Sequence, residues 1–237
     1  MIFLWNGDIV EIITIILAWF VIGMIAFRLY KKHSEKPKLW KVIIVILLGF
    51  FSFSFNWNVF DRMIQVAVLP LGVWILYGVL KRKKERWEKY RPFAWLGFFA
   101  NFILLSFILV ALPINFFIFP ENKPETYISN VEKAFIINIH PSAKEHQQVK
   151  ENLLKLIHRL KQEEFFSDEW YNETYMDTES NKRKERFPYM LINTLPKWGS
   201  GLSAIVYIEG DGKGLLIVTP KKQYYFHSDQ SLLEEGK

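Results

Sequence analysis

Four side chains that can carry charge or a hydrogen bond lie inside, or at the rim of, long apolar runs: Glu11, Arg62, Gln65 and Asn101. Polar groups in such runs are where transport or catalysis is sought first, because lipid makes them costly to bury. Glu11 falls within a turn of Asp8 and is expected at an outer interface, with Arg62 as the alternative buried partner. Asn101 lies about 12 Å along its run from Pro92 and is expected to glue helices together rather than to hold a substrate. The runs show neither a carboxylate series suited to a proton relay nor the paired half-helices of a transporter.

The polar half of the chain offers further groups. His140, His146 and His158 are spaced six and twelve residues apart rather than as the i, i+4 pair that presents two ligands to zinc, so no metal site is expected. Glu163, Glu164, Asp168 and Glu169 could exchange protons but are expected as a solvated helix end. Gly210-Asp-Gly-Lys-Gly214 lacks the spacing and the strand-to-helix context of a phosphate loop, and its composition predicts a hairpin turn. Lys182 to Arg186 is expected as a solvated basic loop. Cysteine is absent, which excludes disulfides, thiolate nucleophiles and cysteine-based metal centres. No catalytic, cofactor or metal site is therefore expected, and the chain is not expected to be an enzyme.

Charge is segregated along the chain. Up to Phe119 there are 14 Lys plus Arg against 6 Asp plus Glu, and from Pro120 onward 16 against 18. The basic excess is concentrated in two stretches flanking apolar runs, residues 28–41 and 81–92, which argues for membrane topology rather than for nucleic-acid binding. These patterns predict a membrane all-α domain over 1–119 with four transmembrane helices, at about 9–27, 40–60, 63–80 and 93–112. Length supports the crossings, since roughly 20 helical residues span a hydrocarbon core of about 30 Å. The Phe50-Phe-Ser-Phe-Ser-Phe55 alternation resembles a strand, but a lone strand in lipid leaves backbone groups unpaired, so a helix is expected. Residues 56–62 are expected as a tight outer turn, Pro70 and Gly72 as a kink, and Pro113 as a helix stop near Leu112.

The positive-inside rule places loops 28–41 and 81–92 in the cytoplasm and both termini outside, in a plasma-membrane, multi-pass protein. Residues 120–237 are expected as a small soluble α+β domain outside the cytoplasm, with one long helix over Ser142 to Glu164 and an antiparallel sheet. The helix is inferred from a capping-box start and apolar residues at helical spacing: Val149, Leu153, Leu156, Ile157 and Leu160. Strands are expected over 131–139, 189–195, 202–208, 215–219 and 223–226, and a long loop over 167–186. The expected role is that of a membrane anchor for an extracytoplasmic ligand- or partner-binding module. The alternative is an accessory subunit or assembly factor that docks on another membrane or envelope protein through its helices. The partners expected are the lipid bilayer and such a protein, with no nucleic acid and no cofactor.

Overall fold

The computed structural model describes residues 7–33, 35–59, 62–145, 147–149, 153–172 and 184–235, and the side chains of Val59, Arg62, Gln147, Gln148, Glu169 and Glu235 fall outside that description. Two compact units are present, one built on Ile9–Asn115 and one on Phe116–Lys237.

Among the described residues of the first unit, α1 (Ile9–Lys32) and α4 (Lys84–Ile118) are the two helices long and apolar enough to cross a membrane. At 1.5 Å per residue they measure roughly 36 and 52 Å. Between them lie α2 (Leu39–Gly49), β1 (Phe53–Val59), β2 (Arg62–Leu69) and α3 (Leu71–Leu80). The expected spans at 40–60 and 63–80 are therefore not spanning helices. Each is a half-length helix joined to a strand, and the strands pair antiparallel from Phe53↔Leu69 to Val59↔Arg62.

The Phe/Ser alternation is a true strand, and its partner is the β-branched run Ile64, Val66 and Val68. Pro70 sets the switch into α3. It pushes Leu69 into extended geometry, and at the helix start its missing N–H is no loss. The expected turn at 56–62 is corrected likewise. Asn56 to Val59 belong to β1 and Arg62 opens β2, while 60–61 lie outside the described residues.

Small residues let the helices of this unit meet backbone to backbone. A Cβ on Gly49 would overlap the Ala94 carbonyl, one on Gly97 the Ile46 carbonyl, and one on Gly72 the Leu48 carbonyl. Gly72 also donates its N–H to Phe51 O at 2.8 Å, which joins the end of α2 to the start of α3. Ala18 and Ile22 of α1 pack on Ala100 and Leu104 of α4, with both alanines fully buried. Lys89 Nζ lies 3.4 Å from Glu35 Oε2, and the His33 ring lies 5.5 Å from that of Phe93. The two basic segments thus share one end of this unit.

α4 begins nine residues earlier than the expected start at 93 and runs through both Pro92 and Pro113, so Pro113 does not stop it. Each proline removes only the bond from its own nitrogen, and the turns on either side carry the helix past it.

The second unit is a helix-and-sheet domain. Its six-stranded sheet has the order β3 (Phe135–Asn138), β6 (Tyr189–Ile192), β7 (Ile205–Ile208), β8 (Gly214–Val218), β9 (Gln223–His227) and β5 (Lys161–Glu163), with every pair antiparallel. A second ladder joins β4 (Gln147–Val149) to β10 (Leu233–Glu235). Short helices α5 (Pro124–Tyr127), α6 (Leu153–Ile157) and α7 (Ser167–Tyr171) complete it.

The long helix expected over Ser142 to Glu164 is not formed. That stretch holds β4, α6 and β5 in turn. Its apolar residues still face inward: Leu153, Leu156 and Ile157 are buried against Ile208, Leu215 and Phe226. Ser142 does not cap a helix. Its Oγ contacts His140 Nδ1 at 2.8 Å and accepts the Glu185 N–H at 3.1 Å.

Candidate functional site

The most elaborate polar arrangement in the sheet unit grows from the β7–β8 hairpin. Glu209 closes β7, and its N–H donates to Gly214 O at 2.8 Å across the turn. Gly212 takes a φ of +77°, which a side chain would resist. Its neighbour Gly214 leaves space for chemistry, because a Cβ there would overlap the Glu209 carboxylate and crowd the Tyr225 hydroxyl. This space lets Glu209 take two partners at once. Arg186 Nε donates to Oε1 at 2.7 Å, and Tyr225 Oη donates to Oε2 at 2.6 Å.

The Arg186 guanidinium lies over three rings, at 5.0 Å from the centroid of Tyr225, 5.4 Å from Phe187 and 5.7 Å from Phe165. Trp170 of α7 packs on Phe165 and Phe187, and its Nε1 donates to Glu185 Oε1 at 3.0 Å. Burial works against the Arg186 charge, but the hydrogen bonds with Glu209 and Tyr225 outweigh it and raise its pKa. Burial, and then the bond to Glu209, pushes the Tyr225 phenol far above its ordinary range. The group is thus a neutralised Arg–Glu pair wrapped in aromatic rings. Its charges are committed to each other rather than to a ligand.

A shallow, open depression lies beside it, lined by Gln162, Glu163, Glu164, Phe165, Phe166, Gln223 and Tyr225. β5 pairs with β9 on one side and is the last strand of the sheet on the other. The depression therefore combines a sheet edge, an exposed aromatic ring in Phe166 and two exposed carboxylates. Such a surface suits an extended segment bearing basic or apolar side chains. Glu163 and Glu164 were expected at a solvated helix end and instead form and follow this edge strand. Asp168 is exposed on α7, and the Glu169 side chain lies outside the described residues.

Glu209, Asp211 and His227 place one potential ligand atom each within 4.8 Å of one another. Both Glu209 oxygens already serve Arg186 and Tyr225, and Asp211 Oδ1 accepts the Lys213 N–H at 2.8 Å. A cation there would compete with an internal guanidinium. The other histidines are dispersed: His158 Nδ1 lies 2.9 Å from Glu125 Oε1, His140 contacts Ser142, and His146 lies outside the described residues.

The candidate polar positions of the apolar runs fall on three elements, Glu11 on α1, Arg62 and Gln65 on β2, and Asn101 on α4. Glu11 lies in the first turn of α1, and its carbonyl accepts the Thr14 hydroxyl at 3.0 Å. Gln65 stands exposed on β2 opposite Asn56. The pairing considered between Glu11 and Arg62 lies outside the described side chains. Asn101 has a defined structural task. Its Nδ2 donates to Phe50 O at 3.1 Å and to Phe98 O at 3.0 Å, so it meets a carbonyl released where α2 ends. The expectation that Asn101 joins helices anticipated the type of contact but not its partner, because α2 was not expected to end at Gly49.

Comparison of the chain with protein families, with curated proteins and with solved structures finds no match.

Proposed function

We propose that the chain is a multi-pass membrane protein that holds an extracytoplasmic sheet domain at the cell surface, and that this domain binds a partner at the β5 edge. The observation that carries the reading is the contrast between the two units. One has apolar helices joined through glycine and alanine, and its basic segments meet at one end. The other has its own aliphatic core and an open, aromatic and acidic sheet edge. In this topology the basic end faces the cytoplasm by the positive-inside rule, α4 leads outward, and the sheet domain follows it. The role proposed is one of recognition, because the open edge offers exposed aromatic and acidic groups while the charges of Arg186 and Glu209 beside it are committed to each other.

A second reading is favoured by the β1–β2 hairpin, in which Phe53, Phe55 and Trp57 are exposed and each strand has an unpaired edge. Such edges pair readily with another chain, which fits an accessory subunit that docks through its membrane half. A photoreactive amino acid placed at Phe166, and separately at Trp57, separates the two in living cells. One discrete adduct from Phe166 with none from Trp57 supports the sheet-edge reading. The opposite pattern replaces it with the accessory-subunit reading.

A further inference from the structure

We propose that the loop from Leu195 to Leu202 docks on the bilayer, with Trp198 seated at the boundary between headgroups and acyl chains beside the end of α4. The proposal rests on reading α4 as a membrane-spanning helix. Trp198 is 83% exposed, yet the loop that presents it is firmly tied. Leu195 exchanges backbone hydrogen bonds with Asn130 at 3.1 and 3.2 Å, Lys197 N–H donates to Thr126 O at 2.9 Å, and Ser200 N–H donates to Lys197 O at 3.1 Å. Gly199 and Gly201, at φ +77° and +62°, turn the backbone on the far side of the ring. The indole is therefore held outward by its loop.

The position of the loop identifies what covers the ring. Lys197 Nζ reaches the Ile118 carbonyl at 3.4 Å, in the last turn of α4, where the helix has no basic residue of its own. Phe116 and Phe117 of that same turn are exposed, Phe117 by 87%. The loop therefore lies level with the point where the apolar run of α4 gives out, beside rings that suit lipid rather than water. A tryptophan with lysines around it is the combination that settles at headgroup depth. The sheet points the same way. Ile205, which is exposed, pairs with Val218, and Val218 with Gln223, so the turn bearing exposed Lys221 and Lys222 is at the same sheet end as Ile205. Tyr224, at that end, donates to Glu121 at 3.0 Å in the segment that follows α4. The Asp211 turn lies at the opposite end. Lysines on the membrane-facing rim complement anionic headgroups.

The test uses the full chain in vesicles of phosphatidylcholine and phosphatidylglycerol, and it exploits the absence of native cysteine, which makes each introduced thiol unique. A nitroxide is attached at Leu195→Cys, at Asp211→Cys and, within α4, at Leu109→Cys. Its collision rates with oxygen and with a water-soluble nickel chelate are then compared. The Leu195 label is expected to favour oxygen over the chelate several-fold more than the Asp211 label, and the Leu109 label to behave as lipid-embedded. Adding Trp198→Ser to Leu195→Cys should drop the ratio toward the Asp211 value, whereas Trp198→Phe should keep it. A Leu195 label as open to the chelate as the Asp211 label, with Leu109 embedded, overturns the docking alone. Shielding of the Leu195 label from both reagents also overturns it and points to a protein covering the loop. A water-exposed Leu109 label overturns the spanning of α4, and the docking with it.

Discussion

At the scale of single residues, the Glu209 carboxylate is the group on which the sheet unit's polar interior depends. It answers the Arg186 charge and accepts the Tyr225 hydroxyl, and it reaches both across space left by Gly214. Removing the Tyr225 hydroxyl deletes a hydrogen bond to a charged group, and Tyr225→Phe is expected to cost about 1.5–2 kcal/mol. Glu209→Gln should cost more, because it leaves Arg186 among three rings without a counter-charge. The same phenol links stability to pH. Burial holds Tyr225, Tyr127 and Tyr224 above the ordinary tyrosine value, so below about pH 10 they are neutral in folded and unfolded chains alike. Above it the unfolded chain releases protons that the folded chain retains, and stability must fall as pH rises. Unfolding of the detergent-solubilised full chain, followed by tryptophan fluorescence between about pH 9 and about pH 11, should show this loss, with a shallower slope in Tyr225→Phe. An unchanged slope in that variant would remove Tyr225 from the account.

At the scale of elements, the β1–β2 hairpin has two unlike faces. Strand alternation puts Phe53, Phe55 and Trp57 on one face and Ser54, Asn56 and Asn58 on the other, where the register sets Asn56 opposite Gln65. Single cysteines at positions 53 to 58 should therefore react with a water-soluble maleimide in a period-two pattern, with 54, 56 and 58 labelled and 53, 55 and 57 protected by lipid. Maxima every three to four residues would restore a helix. The alternation was visible in the sequence, but it covered few residues and had no visible partner, so a long apolar run outweighed it. The tail strands were legible because their turns are marked by glycine and their β-rich runs are short. The stretch from 142 to 164 was not, since helical spacing identifies which residues face a core without showing that one helix joins them. The Arg186–Glu209–Tyr225 group was invisible for a further reason. Its members stand 23 and 16 residues apart and are brought together only by sheet register.

At the scale of the whole molecule, topology depends on parity rather than on the number of spans. The segment from α2 to α3 leaves one basic stretch and returns to the other, and the Lys89–Glu35 contact puts both stretches at the same end of their unit. Whether that segment crosses twice or turns back within the bilayer, it contributes an even number of crossings. On the proposed reading α1 and α4 contribute one each, which assigns the sheet unit to the same side of the membrane as the start of α1. In that proposed topology the positive-inside rule makes that side the outside. In intact cells a membrane-impermeant thiol reagent should label Asp211→Cys and spare Lys36→Cys until the membrane is permeabilised. Labelling of Lys36→Cys alone would invert the protein and place the β5 edge in the cytoplasm. Labelling of both in intact cells would mean that α1 and α4 do not separate them at all, which would overturn the membrane-spanning reading itself. The two positions probe opposite sides of the same even-crossing argument, and only labelling of Asp211→Cys with Lys36→Cys spared supports both the spanning of α1 and α4 and a sheet domain that an external partner can reach.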